Sequence, residues 1–268
     1  MAEPGLGPRA YLNALAGILW REGLRFLQQR SRLIAALVRP TLWLLVFAVV
    51  FRSMLEVARV PPYDMQIGYE TYVVPGLLGM IQLFNGMQSS LSLVVDRELG
   101  SMRILLAAPL PPGYLLFCKL LAGVAVSLIQ IVLFVLVAEA TVVDLPLLGL
   151  LRALPVLLLT GVMLGAIGLL LSATVRELEN FAGVMNFVIF PLFFLSSALY
   201  PLVQMRASSE LLYWISLLNP FTHAVEAIRF ALYGELAGQA LLVVAGCTAV
   251  GFVLALRGYR ARTEGTRR

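Results

Sequence analysis

Six long stretches with few charged residues alternate along the chain with short charged segments. They cover residues 33–51, 71–95, 115–138, 153–175, 180–200 and 236–256. An α-helix rises about 1.5 Å per residue and a lipid hydrocarbon core is about 30 Å thick, so about 20 apolar residues cross it. The pattern therefore predicts an all-α membrane protein with six transmembrane helices in a domain spanning residues 33–258. Arg39, inside the first stretch, is expected to reach the near interface or to face protein.

A seventh apolar run, LLYWISLLNPFT at residues 211–222, is too short to cross a membrane. It predicts a re-entrant or interfacial external hairpin before the last span, marked by Asn219, Pro220, Glu226 and Arg229. Glu226 and Arg229 stand three residues apart, which favours an ion pair on one helix face over an acid–base pair. His223, beside this turn, is expected to be a loop residue.

The N-terminal segment, residues 1–32, has two chemically different sides when drawn as a helix. Polar side chains recur at helical spacing on one side, and large apolar side chains gather on the other: Arg21, Arg25, Gln28 and Arg32 against Leu12, Leu15, Leu19, Phe26 and Leu27. This pattern predicts an amphipathic helix lying in the cytoplasmic headgroup layer. It is either an anchor, which also contacts a partner, or a lever joined to the first span. No cleavage pattern of small residues follows, so we expect the first span to be retained.

Composition supports a lipid environment. Hydrophobic residues make up 60% of the 268 residues, charged residues only 13%, and the mean hydropathy is +0.90. A soluble domain has about 25% charged residues. The net charge of +5 does not indicate nucleic acid binding, because the arginines stand at the ends of apolar runs rather than on one polar face.

The distribution of basic residues orients the predicted spans. With six spans and an internal N-terminus, 15 of the 20 basic residues fall on the inner side, and the outer side keeps Arg52, Arg59, Arg152, Arg206 and Arg229. Short cytoplasmic loops carry an excess of Lys and Arg. The sequence thus predicts a multi-pass protein of the cytoplasmic (inner) membrane, with the N-terminus and the basic tail 259–268 both in the cytoplasm.

The residues offer little for catalysis. There is one histidine, no HExxH pair, no phosphate-binding GxxxxGK[ST] loop, and the two cysteines, Cys118 and Cys247, lie in or beside apolar runs. We expect no catalytic residue, no metal site and no cofactor in this chain. No ladder of charged residues crosses the spans either, so the driving energy is expected to come from outside the chain.

Uncharged polar residues do occur within the spans. Gln82, Asn85 and Ser89 share one face of the second span at positions i, i+3 and i+7. Such a face either packs on other helices or lines a substrate pathway or its closure seam, for which Asn186 and Ser196 of the fifth span are further candidates. Small residues on one face of the fourth span, Gly161, Gly165, Gly168 and Ser172, favour close helix packing.

The charged island VVDRELGSMRILLAAPLPPGY at residues 94–114 resembles a motif of the membrane subunits of type-two ATP-binding-cassette exporters, approximately R-E-x-G-T-L-E-x-L-L-x-x-P-L. Three other stretches are similar to that family in the same order: Tyr72–Gly76, Phe190–Pro201, and Trp214 with Leu218-Asn219-Pro220 and Arg229. Two positions depart from the motif, since Ser101 replaces Thr and Arg103 stands where Glu is common. The reversed charge at Arg103 bears on which ATPase this chain pairs with.

The resemblance implies a permease of two six-span subunits, expected to be identical, above separate ATPase subunits that bind ATP and Mg²⁺. It also implies that residues 96–108 form a coupling helix, whose docking residues are Arg97, Glu98, Gly100, Arg103, Leu105 and Leu106. The substrate class implied is a drug, lipid or glycolipid moved out of the cytoplasm or inner leaflet. A non-transporting membrane scaffold or assembly factor, and an ion-coupled transporter, remain alternatives. For the island itself, a loop solvated at the membrane surface is the alternative.

Overall fold

The computed structural model describes residues 7–28, 30–51, 68–98, 110–141, 147–175 and 178–265, which form helices and short connections without a strand. The helices, in chain order, are α1 (Pro8–Gln28), α2 (Arg30–Phe51), α3 (Tyr69–Glu98), α4 (Pro112–Thr141), α5 (Leu147–Thr174), α6 (Leu178–Phe194), α7 (Leu202–Ser208), α8 (Glu210–Leu218), α9 (Pro220–Leu232) and α10 (Gly238–Gly265).

Each predicted span coincides with one of these helices, in order α2, α3, α4, α5, α6 and α10. Within the described residues, three helical segments are long and apolar enough to cross a membrane: Pro112–Ala140, Leu148–Thr174 and Gly238–Tyr259. The apolar segments in α2 and α6 are shorter, Leu37–Phe47 and Glu179–Phe194. The all-helical fold is confirmed, and the count of six spans stays a prediction. The predicted fifth span is shortened, because α6 ends at Phe194 and residues 195–200 form turns.

Helix α5 lies at the centre of the bundle, against α3, α10, α9 and α4. Its small residues allow a close approach to α3. A Cβ atom on Gly168 would lie 2.7 Å from the carbonyl oxygen of Gly86 on α3, and one on Gly86 would lie 3.0 Å from the backbone nitrogen of Gly165. The two backbones therefore touch through glycines, as small residues permit between membrane helices. The predicted packing role of this stripe is confirmed.

We expect Gly168→Ala to lower the stability of the folded protein by about 1–3 kcal/mol, because the added methyl group meets backbone atoms that cannot move aside. Gly246→Ala on α10 is the matched control, since a Cβ there meets nothing within 4 Å. Alanine also favours the helix over glycine by roughly 0.5–1 kcal/mol, so the control is expected to be neutral or slightly stabilised. Thermal unfolding in lipid nanodiscs measures both. Equal shifts for the two variants would contradict the close approach.

Helix α1 packs on α4 near the α3–α4 connection. The hydroxyl of Tyr114 donates to the carbonyl oxygen of Tyr11 at 2.7 Å, and the two rings meet edge to face at 4.9 Å. Of the predicted apolar side, Phe26 is buried whereas Leu12 and Leu27 are exposed. The segment thus contacts the bundle of its own subunit, and its location in the headgroup layer stays a prediction.

Helix α2 carries Arg39, the arginine that stands within the first apolar run of the sequence. The guanidinium carbon of Arg39 lies 4.1 Å from the centroid of the Phe84 ring on α3. A cation over an aromatic face is a favourable contact. Of the two expected placements, the structure shows the contact with protein.

Candidate functional site

The polar face of α3 is hydrogen-bonded inside the subunit. The Gln82 amide nitrogen Nε2 donates to the Leu157 carbonyl oxygen at 2.6 Å, and Thr160 Oγ1 of α5 donates to Gln82 Oε1 at 2.8 Å. Asn85 Nδ2 donates to the Ile81 carbonyl oxygen at 3.1 Å and to Gln130 Oε1 on α4. Buried amides without partners are costly in a low-dielectric interior, so these bonds make the polar residues compatible with burial.

The other predicted pathway residues lie in different settings. Ser89 is half-buried against Gly123 on α4, beside a cavity of about 10 Å³, which is roughly the room for one water molecule. Asn186 is exposed on α6. Ser196 is buried in a turn, where its hydroxyl donates to the Phe193 carbonyl oxygen at 2.6 Å. For Gln82 and Asn85 the structure shows helix packing. That any of the five borders a substrate pathway stays a prediction.

A buried arginine ties the turn after α6 to two helices. Arg229 on α9 is 1% exposed, pairs with Glu226, and donates from Nη2 to the Ser197 carbonyl oxygen at 2.9 Å. Its guanidinium carbon lies 4.1 Å from the centroid of the Tyr72 ring. The predicted ion pair of Glu226 and Arg229 is confirmed. It is also part of a larger contact, which joins α3, α9 and the turn.

Two tyrosines of α3 complete this contact, which we call the turn clasp (Tyr69, Tyr72, Ser197, Glu226 and Arg229). The Tyr72 hydroxyl donates to the Ser197 carbonyl oxygen at 2.9 Å, and the Tyr69 hydroxyl donates to the Leu199 carbonyl oxygen at 2.8 Å. Backbone carbonyls in a turn have no helical partner, so side-chain donors satisfy them. The turn clasp thereby holds the end of α6 against the rest of the bundle.

Asn219 organises the short helices of the hairpin. Its Oδ1 accepts from the Phe221 backbone nitrogen at 2.9 Å, which caps α9, and its Nδ2 donates to the carbonyl oxygen of Leu192 at 2.8 Å. Pro220 occupies the first turn of α9, where a missing N–H costs nothing. The expectation that His223 lies in a loop is wrong. His223 lies in α9, with Nε2 at 2.9 Å from the Leu217 carbonyl oxygen.

Most of the predicted coupling segment 96–108 lies outside the described residues, including Gly100, Arg103, Leu105 and Leu106. Arg97 belongs to the last turn of α3, and Glu98, the last residue of that helix, is exposed. The structure therefore locates the helix that leads into the segment, and the docking role of these residues stays a prediction.

An ion pair fixes the two helices that flank this segment. Lys119, buried on α4, bonds to the Asp96 carboxylate near the end of α3. Burial by itself raises the pKa of Asp96, but the hydrogen bond and charge of Lys119, with the nearby Arg25 and Arg21, outweigh it and hold the pKa of this carboxyl below its usual value. The carboxylate therefore stays ionised at neutral pH.

Sequence reasoning missed this pair and the tyrosine contacts of the turn clasp. Asp96 and Lys119 are 23 residues apart, and Tyr72 and Arg229 lie on helices far apart in the chain. A lysine one turn inside a predicted span was a usable signal, since a lone charge in such a position needs a partner.

Long apolar helices that are joined by buried hydrogen bonds define a multi-pass helical membrane protein. Residues 13–233, well over half of the chain, match the family model described as ABC-2 type transporter. The chain belongs to the ABC-2 type transporter family, whose members are permease components of membrane transport systems.

Relatives agree with this assignment. A protein named transport permease ycf38 from Porphyra purpurea is 29% identical over 232 residues, which cover 83% of this chain and 76% of the relative. Its counterpart in Cyanophora paradoxa is 29% identical over 251 residues, covering 85% and 84%. Nodulation protein J of Rhizobium leguminosarum bv. viciae is 31% identical over 88 residues, which cover 33% of each chain.

Proposed function

We propose that the chain is the permease subunit of an ATP-driven exporter that works with a separate ATPase and with a second permease subunit, expected to be identical. One observation carries the proposal: a chain of the ABC-2 type transporter family has no phosphate-binding GxxxxGK[ST] loop in its 268 residues. Such a loop cradles the phosphates of ATP with backbone N–H groups and a lysine. In this proposal ATP and Mg²⁺ are bound by the partner ATPase.

The ATPase docks on residues 96–108. Support comes from the neighbourhood of this segment, because the Asp96–Lys119 pair joins the helices before and after it, and Tyr114 binds α1 alongside. Because this pair joins α3 to α4, a movement of the docked ATPase would be transmitted to both helices. Its apolar pair, Leu105 and Leu106, fits a groove, and its charged residues fit the rim.

The substrate is an amphiphile of the drug, lipid or glycolipid class, moved out of the cytoplasm or inner leaflet. Support is the resemblance of Phe190–Pro201 to exporters of such compounds.

Co-expression tests the proposal. The permease is expressed with the ATPase encoded beside it, purified, and reconstituted in vesicles, and ATP hydrolysis is measured with and without candidate amphiphiles. Co-purification and stimulated hydrolysis are expected. A permease that purifies alone and leaves hydrolysis unchanged would favour the scaffold alternative. Transport that follows an ion gradient without ATP would favour the ion-coupled alternative.

Asn186→Cys tests the position of the pathway or seam. Asn186 is exposed on α6, so we expect a cysteine there to be modified or cross-linked to a second copy to an extent that changes with bound nucleotide. Ile189→Cys is the matched control, because Ile189 is buried on the same helix and a thiol there is expected to stay unreactive. A nucleotide-independent reaction at position 186 would place α6 on the lipid side.

The proposed orientation is measured with reporters fused after the last residue. Because the tail 259–268 is rich in arginine, we expect a cytoplasmic reporter to be active there and a periplasmic one to be inactive. The same result is expected at the N-terminus. Activity of the periplasmic reporter at the C-terminus would refute the six-span topology.

A further inference from the structure

A cavity lies between the end of α6, the turn that follows it and the short helices α7 and α8. Its volume is about 290 Å³, at the lower end of the roughly 300–1,000 Å³ typical of small-ligand sites. Most of its wall is apolar and comes from Phe194, Leu195, Met205 and Leu212. At about 30 Å³ per water molecule, it offers the space of roughly ten waters, enough for one aliphatic chain or ring system rather than several.

One wall residue is a buried hydroxyl without a partner. Ser216 on α8 is 1% exposed, and its Oγ has no hydrogen-bond partner among the described residues. A helical serine commonly donates to the carbonyl oxygen one turn earlier, as Ser208 does to the Gln204 carbonyl oxygen at 3.0 Å. A buried hydroxyl without a partner is unfavourable, so a polar group of a ligand that bonds to it would be stabilising.

The cavity offers no charge to a ligand. Its other polar wall residues, Tyr200, Gln204 and Ser208, are neutral. The nearest arginine in sequence, Arg206, does not line the cavity and places its guanidinium 5.4 Å from the Tyr213 ring. A charged head group would lose its hydration here without gaining a counter-ion.

We propose that this cavity is a binding site for an uncharged amphiphile with a single apolar chain. The chain lies on Phe194, Met205 and Leu212, and a hydroxyl or amide group of the ligand pairs with Ser216 Oγ. The site belongs to one subunit and needs neither the ATPase nor a transport step, so it goes beyond the proposed function and is testable without it.

The test is photolabelling of the full chain in nanodiscs of zwitterionic lipid. Three photoreactive probes carry the same long hydrocarbon tail with a diazirine and differ in the polar end. They are a primary alcohol, the corresponding carboxylate, and the corresponding hydrocarbon without a polar end. Labelled peptides are identified by mass spectrometry. We expect the alcohol to label peptides that contain Met205 and Leu212, excess unlabelled alcohol to remove the label, and the carboxylate to label them more weakly.

Three variants sharpen the result. Ser216→Ala removes one hydrogen bond, so the affinity for the alcohol is expected to fall about two- to tenfold while labelling by the hydrocarbon is unchanged. Leu212→Trp fills the cavity and is expected to abolish labelling by both. Leu211→Trp is its control, because Leu211 is 71% exposed and does not line the cavity. If Leu212→Trp fails to fold, labelling of Ser216→Ala by the alcohol and by the hydrocarbon tests the site instead. Equal loss of label, or no loss, with both probes would contradict the role of Ser216.

Two outcomes overturn the proposal. Labelling spread evenly over exposed apolar residues such as Phe187 and Leu211, and unchanged in Leu212→Trp, would show ordinary lipid contact. Absence of label together with disulfide cross-linking of two Gln204→Cys chains would show that a second copy covers the cavity. Either result leaves ATPase co-purification, and hence the proposed function, untouched.

Discussion

Leu105→Asp is expected to abolish association with the ATPase while membrane insertion remains normal. Fully burying a leucine side chain contributes roughly 1.5–3 kcal/mol, and an aspartate in the same groove would add the cost of an unpaired buried charge. Exposed charge pairs at the rim contribute only about 0–1 kcal/mol each. The measurement is co-purification, followed by amphiphile-stimulated ATP hydrolysis in vesicles.

Leu105→Met is the matched control, because it retains an apolar side chain of similar volume and is expected to bind like the parent. Arg103→Glu restores the charge that is common in the resembling family, so it weakens pairing if the cognate ATPase offers an acidic group. Glu98→Ala, at an exposed helix end, is expected to have a milder effect on binding. A Leu105→Asp variant that binds and stimulates hydrolysis like the parent would show that residues 96–108 do not dock.

Arg229→Met is expected to destabilise the folded protein by about 3–5 kcal/mol, the range for breaking a buried ion pair by removing one partner. The substitution leaves the Glu226 carboxylate and the Ser197 carbonyl oxygen without their cationic donor and removes the contact with the Tyr72 ring. Because the turn clasp holds the end of α6, the turn at residues 195–200 should also become accessible. Thermal unfolding and protease sensitivity in nanodiscs measure the two effects.

Arg206→Met is the control for this change. Arg206 also lies near a tyrosine ring, with its guanidinium carbon 5.4 Å from the Tyr213 centroid, but it is exposed. A cation–π contact at an exposed site contributes about 0.5–1 kcal/mol, so a small shift in unfolding temperature is expected. Similar shifts for both arginines would contradict the role assigned to the turn clasp.

Local chemistry explains why some features were predictable. The glycine stripe of α5 repeats at helical spacing, and its packing role follows from the absence of side chains. Glu226 and Arg229 stand one helical turn apart, so their pairing is a property of a single helix. Asn219-Pro220 marks the start of α9 by the same kind of local rule, since Asn caps helices and Pro fits the first turn.

Other features depend on which helices become neighbours. The face of Gln82 and Asn85 was expected either to pack or to border a pathway, and its pattern is the same in both cases. The structure shows packing within the subunit. The hydrogen-bond partners of this face are Thr160 and Leu157 on α5 and Gln130 on α4. Similarly, α6 ends earlier than the sequence predicts. The carbonyl groups of residues 197 and 199, in the turn that follows it, accept hydrogen bonds from tyrosines on α3.

The sequence alone determined the helical class, the positions of the long apolar helices and the family. The first two depend on residues that are close together in the chain, and the family depends on motifs that occur in a fixed order. Only the tertiary structure decided the partners of Asp96, Tyr72, Arg229 and the polar face of α3, and the cavity beside Ser216. The physical reason is that a helix pattern states which side chains share a face. The partner of that face is set by packing between helices that are distant in the chain.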